Sequence, residues 1–219
     1  MPPPQPSHAH PDRYAVVIPV KRPAVAKTRL SDLGDRARRD LATAFAVDTV
    51  DAVLACPVVV RVLAVTDDHV LARFLAERGA DVIPDATSHD LNATLVQAAA
   101  EMHRRDPRAG LVALCADLPA LRPDELLAAL SASASDRMSF VPDLDMVGTT
   151  TVVAPDVGLF RPSFGHGSRR QHVEAGAFEI TGIEAPGLRR DVDDRESLAE
   201  ALRLGVGART SLVATALRL

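Results

Sequence analysis

Residues 14–20, YAVVIPV, form a continuous apolar run that is rich in β-branched side chains. Such a run is typical of a strand that is buried on both faces of a sheet. Residues 111–116, LVALCA, form a second and even more apolar run, which predicts the strand at the centre of the same sheet. Strands buried on both faces occur mainly in parallel sheets covered by helices. The two runs therefore predict an α/β fold.

Segments with helical spacing alternate with strand-like segments over the first 130 residues. This alternation predicts parallel βαβ units and a mostly parallel, doubly wound sheet of the Rossmann-like type. In such sheets ligands bind beyond the carboxyl ends of the strands, so functional residues should follow the strands. The predicted helices are 35–55, 69–78, 91–105, one that begins at Pro123, a short one after the loop 164–168, and 196–204; the further strands are 61–66, 81–84, 140–142, 149–153 and 188–192.

Length and composition limit the kind of protein this is. With 219 residues, of which 47% are hydrophobic, residues 14–219 can form a single domain. Residues 1–13 are Pro-rich and predict a disordered tail, since they lack the apolar segment of a signal peptide. The net charge of −4 argues against a nucleic-acid partner. No apolar stretch reaches the ~20 residues of a membrane helix, so we expect no membrane contact. Cys56 and Cys115 lie in apolar runs, as is typical of unpaired cysteines in a reducing compartment, so we expect a cytoplasmic protein. For the oligomeric state we expect a monomer or a homodimer.

The loop after the first predicted strand concentrates positive charge. The chain has 25 basic residues, but its only two lysines, Lys21 and Lys27, both lie in this loop, together with Arg22 and Arg29. Ammonium and guanidinium groups at this position can bind a triphosphate and stabilise a departing pyrophosphate. The glycines of a Walker loop are absent, so the pattern predicts a different kind of phosphate site. A solvated basic loop with no ligand is the alternative.

Acidic residues follow two other predicted strands. Asp117 comes directly after the apolar run 111–116, and Asp191 and Asp193 would lie on one face of the strand that begins at residue 188. Carboxylates combined with substrate phosphates are a common way to hold Mg²⁺, which predicts a magnesium site. The alternatives are a turn-capping role for Asp117 and a helix-capping role for the acidic cluster, which Asp194 would perform in either case.

A glycine-rich segment, SFGHGSRRQH at 163–172, predicts a pocket for a small anion. Gly165 lets the backbone approach a ligand, and Ser168 is placed as the N-cap of a helix. Thr150, in the threonine run of a predicted strand, can add a hydroxyl group to the pocket. His172 lies four residues into the helix, and we assign it no catalytic role because a lone histidine is more often structural.

Three polar residues near the ends of the second and third strands are candidates for contact with a nucleotide base. They are Asp67, Asp85 and Asn92. Loops at these positions lie beside the carboxyl end of the first strand. These residues do not indicate which base is bound, and Asn92 is also an ordinary residue for a helix start.

Taken together, four motifs resemble the 2-phospho-L-lactate guanylyltransferase family, whose bacterial branch is described as phosphoenolpyruvate guanylyltransferase. The similarity covers residues 14–215. The motifs are PVK at 19–21 with AKTRL at 26–30, ADLP at 116–119, FGHGS at 164–168 with His172, and DVD at 191–193. The chain departs from the family pattern at His166, where proline is more usual, and at Asp194, where threonine is more usual.

The resemblance implies a sheet of the nucleotide-diphospho-sugar transferase type and a reaction. GMP would pass from GTP to phosphoenolpyruvate, giving enolpyruvoyl-2-diphospho-5'-guanosine and pyrophosphate in the biosynthesis of coenzyme F-420. A downstream ligase would consume the product.

The resemblance also implies roles for individual residues. Those for the acceptor are Thr150, Gly165 and Ser168; those for the triphosphate are Lys21, Lys27 and Arg29; and those for Mg²⁺ are Asp117 with Asp191 or Asp193.

Other functions remain open from the residues alone. The acceptor can be 2-phospho-L-lactate or 3-phosphoglycerate, and a sugar phosphate or a molybdopterin would use the same sheet and metal carboxylate. An alternative from a different class of function is a regulator that binds a nucleotide and catalyses no reaction. Such a regulator would not need the loop lysines and the carboxylates, which are all present here.

Overall fold

The computed structural model describes residues 10–23, 26–86 and 90–219. Of the predicted disordered tail, residues 1–9 lie outside the described part, so that prediction remains a prediction. At its described end, His10 Nε2 lies 3.1 Å from the carbonyl oxygen of Ser133.

Seven strands form one sheet in the order β3-β2-β1-β4-β6-β5-β7. Only β6 runs antiparallel to its neighbours β4 and β5; the other pairings are parallel. The predicted mostly parallel sheet is therefore confirmed, and the apolar run 111–116 supplies its central strand. The strands are β1 Tyr14–Pro19, β2 Val59–Val65, β3 Asp81–Ile83, β4 Gly110–Leu114, β5 Ser139–Pro142, β6 Thr149–Ala154 and β7 Phe178–Glu179.

Helices cover both faces of the sheet, as a doubly wound fold requires. They are α1 Asp35–Leu54, α2 His69–Ala76, α3 Leu91–Arg105, α4 Pro123–Ser131, α5 Ser168–Glu174, α6 Pro186–Arg189, α7 Arg195–Leu204 and α8 Ala208–Leu217, with 3₁₀ turns at Thr28–Leu33 and Val157–Leu159. Alternate residues of β1 face opposite layers. Val16 packs in a cluster with Val50 of α1, whereas Val17 packs in a second cluster with Leu95 of α3.

The predicted strand over residues 188–192 is wrong. Leu188 and Arg189 belong to the short helix α6, and residues 190–192 have no regular structure. Pro186 occupies the first position of α6, where its fixed φ favours a helical turn. Leu188 is fully buried, so the apolar character that suggested a strand reflects packing of one helical turn into the core.

Two elements at the C-terminal side, β7 and α8, do not follow from the sequence pattern. Helix α8 packs against α1. Asp48 of α1 accepts hydrogen bonds from the backbone N–H groups of Arg209 and Thr210, at 3.0 and 2.7 Å. A buried carboxylate from another helix thus caps α8, which is a tertiary contact that local sequence does not reveal.

Among the helices of the described ranges, none combines the length and the apolar character needed to cross a membrane.

Candidate active site

A cleft of about 760 Å³ lies at the carboxyl ends of β1 and β4, where a doubly wound sheet binds ligands. Its volume is in the range of small-molecule sites. One side is formed by the cationic loop after β1, another by the start of α3, and Phe164 of the glycine-rich loop borders it as well. The polar residues that line it are Lys21, Lys27, Thr28, Arg29, Asp85, Asp90, Thr94, Asp117 and Asp193.

Lys27 occupies the centre of the charged part of the cleft. Its Nζ donates to Asp193 Oδ1 at 2.9 Å and to Asp117 Oδ2, and only 10% of its side chain is exposed. Burial alone would lower the pKa of Lys27, but the carboxylates of Asp117 and Asp193 outweigh burial and raise it above its usual value. Lys27 also has a left-handed backbone, with φ of 55°. The ammonium group is therefore held as a fixed positive charge between two carboxylates.

The three acidic residues of the predicted metal site converge, although not by the predicted strand geometry. Asp117 follows β4, and its backbone oxygen accepts from the N–H of Val192 at 3.0 Å, which attaches the irregular segment 190–193 to the end of the sheet. Burial raises the pKa of Asp191 to about 7, and the nearby carboxylates of Asp117 and Asp193 contribute to this rise. Each carboxylate thus disfavours ionisation of Asp191.

The structure fits a divalent cation at these carboxylates. Asp117 Oδ1 is buried and has no hydrogen-bond partner within the described residues, so a ligating atom is available. A cation would also relieve the repulsion that acts on Asp191. No group of three or more His, Cys, Asp and Glu side chains in the described ranges is close enough to hold a metal alone. A cation bound here would need further ligands, such as the phosphate oxygens of a bound substrate.

The other cations of the loop remain exposed to the cleft. Lys21 and Arg29 are exposed and line it. Arg38 of α1, which the sequence did not suggest, anchors the loop from behind. Its buried Nη1 donates to the carbonyl oxygens of Pro23, at 3.2 Å, and Ala26.

The three predicted base contacts lie in different environments. Asp85 lines the cleft and accepts from Thr94 Oγ1 at 2.7 Å. Asp67 does not border the cleft; its Oδ1 accepts from the N–H of Asp85 at 3.0 Å, and its Oδ2 lies 3.5 Å from Arg22. Asn92 directs its side-chain amide at the backbone of Phe164. Of the three, only Asp85 is both in the cleft and able to face a nucleotide directly.

Phe164 of the glycine-rich loop lines the cleft, whereas Gly165 and Ser168 are not among its lining residues. Gly165 and Gly167 have positive φ angles of 135° and 67°, which residues other than glycine rarely adopt. Gly167 is the N-cap of α5 and Ser168 is its first helical residue, so the predicted N-cap position of Ser168 is wrong. With Gly167 as the N-cap, the helix starts one residue earlier than predicted, and Ser168 is buried.

Thr150 lies on β6 beside the end of β4. Its carbonyl oxygen accepts from the N–H of Cys115 at 2.9 Å. Its side chain is fully buried, and Thr150 Oγ1 has no hydrogen-bond partner in the described part of the chain. Thr150 is not among the residues that line the cleft, so its predicted contact with the acceptor remains a prediction.

His172 holds the backbone at the start of the glycine-rich loop. Its Nε2 accepts from the N–H of Ser163 at 3.0 Å, and its Nδ1 lies 3.0 Å from Thr149 Oγ1. The ring also packs against Phe140 and Phe164. Burial lowers the pKa of His172 to about 4, so the imidazole is neutral at pH 7. This position accounts for His172 as a structural residue, and His166 is exposed at the loop tip.

The comparison with protein families bears on this geometry. Residues 14–213 match the family described as "Guanylyl transferase CofC like". The chain belongs to this family. The predicted family membership is thus confirmed over nearly the whole length that the motifs indicated.

Several curated proteins similar to this member of the CofC-like family have the same name. Proteins named phosphoenolpyruvate guanylyltransferase include one from Salinispora arenicola, 48% identical, with 91% of this chain and 92% of that protein covered. Another, from Streptomyces coelicolor, is 46% identical, with 94% and 97% covered. A third, from Thermomonospora curvata, is 45% identical, with 92% and 88% covered.

Solved structures similar to this CofC-like chain agree on the fold. A protein of the nucleotide-diphospho-sugar transferase type from Desulfovibrio desulfuricans has a TM-score of 0.64 and 16% identity, with 93% of this chain and 96% of that chain covered. A nucleotidyl transferase from Methanothermobacter has a TM-score of 0.59 and 16% identity, with 87% and 98% covered. At this identity the likeness concerns the fold alone, and the predicted fold type is confirmed.

Proposed function

We propose that this protein transfers GMP from GTP to phosphoenolpyruvate, giving enolpyruvoyl-2-diphospho-5'-guanosine and pyrophosphate, a step in the biosynthesis of coenzyme F-420. The observation that carries the proposal is the charge arrangement in the cleft. The Lys27 ammonium lies between Asp117 and Asp193, with Lys21 and Arg29 beside it. Fixed cations beside a cation-binding pair of carboxylates suit the transfer of a nucleotidyl group between two anions.

The reaction needs no covalent intermediate on the protein. An oxygen of the acceptor phosphate attacks the α-phosphorus of GTP, and the bond from that phosphorus to the oxygen bridging to the β-phosphate breaks. Pyrophosphate leaves with the bonding electrons. Because the acceptor phosphate is already an anion, no general base is required. The neutral His172 and the buried Cys115, whose pKa burial raises well above its usual value, are consistent with this absence of acid–base chemistry.

The chain contributes positioning and fixed charge. Lys21, Lys27 and Arg29 would neutralise the triphosphate and the departing pyrophosphate. Asp117, with Asp191 or Asp193, would hold Mg²⁺, which would supply positive charge that reduces the repulsion between the two substrates. Thr150, Gly165 and Ser168 would hold the acceptor.

The choice of phosphoenolpyruvate follows the relatives that carry that name. Among the three-carbon acids, 2-phospho-L-lactate and 3-phosphoglycerate are the competitors.

The setting of the reaction belongs to the same proposal. We place it in the cytoplasm, with GTP and phosphoenolpyruvate as small-molecule partners and a ligase that consumes the product. We expect the protein to act as a monomer or a homodimer.

Pyrophosphate release tests the proposal. The protein is incubated with GTP, Mg²⁺ and one of phosphoenolpyruvate, 2-phospho-L-lactate or 3-phosphoglycerate, with ATP and CTP as nucleotide controls. Release that requires GTP and phosphoenolpyruvate supports the proposal. Release with another acid changes the acceptor, and no release with any of the three acids, even with a ligase to remove product, overturns it.

A further inference from the structure

The side chain of Asn92 is bound at both of its polar ends to a single backbone residue. Its Nδ2 donates to the carbonyl oxygen of Phe164 at 3.0 Å, and its Oδ1 accepts from the N–H of Phe164 at 2.8 Å. The two residues are 72 positions apart in the chain. A side-chain amide is suited to this double contact because it carries one donor group and one acceptor on the same carbon.

The two partners belong to different segments beside the cleft. Asn92 is in the first turn of α3, next to Leu91 and close to Thr94, which both line the cleft. Phe164 is the residue of the glycine-rich loop that lines it. The contact thus joins the start of α3 to the start of the glycine-rich loop.

Each end of this link is itself fixed. Asp90 caps α3 by accepting from the N–H groups of Asn92 and Ala93, both at 3.0 Å, which holds the backbone that carries the amide. On the other side, the N–H of Ser163 is bound to His172. Phe164 is therefore the last residue held by side chains before the backbone turns at Gly165, with φ of 135°.

We propose that Asn92 is a positioning residue for the acceptor, which holds the glycine-rich loop at the distance from α3 that the reaction requires. This rests on the proposed function, and it reassigns a residue that the sequence suggested as a base contact. The amide is turned towards the loop, and one donor and one acceptor are already in use there. Without the link, the loop would keep the contact of His172 with Ser163 and the hydrogen bond from Gln171 to the carbonyl oxygen of His166. Phe164 would lose both of its hydrogen bonds to α3, and the acceptor would lose its alignment with the α-phosphorus.

Steady-state kinetics of Asn92→Ala and Asn92→Asp test the assignment. We expect KM for phosphoenolpyruvate to rise about tenfold, the scale of two lost hydrogen bonds, while KM for GTP is unchanged. Asn92→Asp keeps the oxygen that accepts the hydrogen bond from the Phe164 N–H. Its second oxygen replaces the donor and repels the Phe164 carbonyl oxygen, so this variant should resemble the alanine variant. The control is Gln97→Ala, an exposed amide on the same helix, which should leave both constants unchanged. A rise in KM for GTP with unchanged KM for the acid would overturn the assignment in favour of a base contact.

Hydrogen exchange of the free enzyme gives a readout that does not depend on activity. The amide of Phe164 is bonded to Asn92 Oδ1, so exchange in the peptide 163–166 should be about tenfold faster in Asn92→Ala and unchanged in Gln97→Ala. Unchanged exchange in Asn92→Ala would overturn the link even if the kinetic constants moved. If the wild type releases no pyrophosphate with any acid, the proposed function fails, and the exchange experiment still decides whether the link exists.

Discussion

His172 makes the stability of the fold depend on pH, and the substitution His172→Gln tests this. The buried ring has a pKa of about 4, against 6.5 for an exposed histidine. Between these values the unfolded chain binds a proton that the folded chain does not. The contribution of neutral His172 is therefore fully present above pH 6.5 and is lost as the pH falls towards 4.

The difference between the folded and unfolded pKa of His172 sets the magnitude. A tenfold change in proton affinity corresponds to about 1.4 kcal/mol, so the full loss is roughly 3 kcal/mol, of which about 2 kcal/mol is lost by pH 5. Asp191, whose pKa is raised, titrates in part of this range with the opposite sign, because its folded form binds the proton more readily. The pH dependence of wild-type stability therefore combines both groups. The difference in free energy of unfolding between the wild type and His172→Gln isolates the contribution of the histidine.

Urea unfolding at pH 7.5 and pH 5.0 measures this difference. We expect the stability advantage of the wild type over His172→Gln to shrink by about 2 kcal/mol between the two values. The matched control is His69→Gln, at an exposed position at the start of α2, which should follow the wild type at both values. An advantage that stays constant from pH 7.5 to 5.0 would refute the role of His172 as a neutral, buried support of the loop.

Three further substitutions have expected outcomes. Asp117→Asn should lower turnover by roughly three orders of magnitude because it removes a carboxylate that would hold Mg²⁺, with the melting temperature nearly unchanged; activity within tenfold of the wild type would exclude Asp117 from the mechanism. Lys27→Met should lower kcat by about a hundredfold or more, and normal kcat in a stopped assay of pyrophosphate release would contradict the role of its ammonium. Asp48→Ala, which leaves the N–H groups of Arg209 and Thr210 without their partner, should destabilise the protein by about 1–2 kcal/mol in urea while activity is kept; unchanged stability would show that Asp48 does not cap α8.

The sheet could be predicted because its signal is local. A strand buried on both faces must be apolar at successive positions, and the runs at 14–20 and 111–116 have this property. Residues that follow such strands collect at one edge, which is why Lys27 and Asp117 could be expected to meet. The motifs then indicated the family, and the family match confirmed it.

For the acidic segment 191–193, the predicted location beside Asp117 is correct, but the predicted strand is wrong. Asp191 and Asp193 approach Asp117, but they do so from an irregular segment held by one backbone bond from Val192 to Asp117. A buried apolar turn of helix and a buried strand are similar in sequence when they span only a few residues. The position of Leu188 in α6 therefore could not be separated from a strand by pattern alone.

The remaining features depend on contacts between distant residues. Asn92 is a normal helix-start residue by itself, and only the fold shows that its amide reaches Phe164. Arg38 is one of several arginines at the start of α1, and nothing in the sequence distinguishes the one that holds the loop carbonyls. Helix α8 buries only Thr210 and Ala214 among its own residues, so its apolar stripe is too weak to predict a helix.

The central claim is that an oxygen of the phosphoenolpyruvate phosphate becomes the bridge to the α-phosphorus of GTP. The most direct test uses phosphoenolpyruvate with ¹⁸O in its phosphate group, unlabelled GTP and Mg²⁺, followed by mass spectrometry of both products. We expect the diphosphate-linked product to keep all of the label and the pyrophosphate to have none. Label in the pyrophosphate, or GMP formed without the linked product, would contradict the claim.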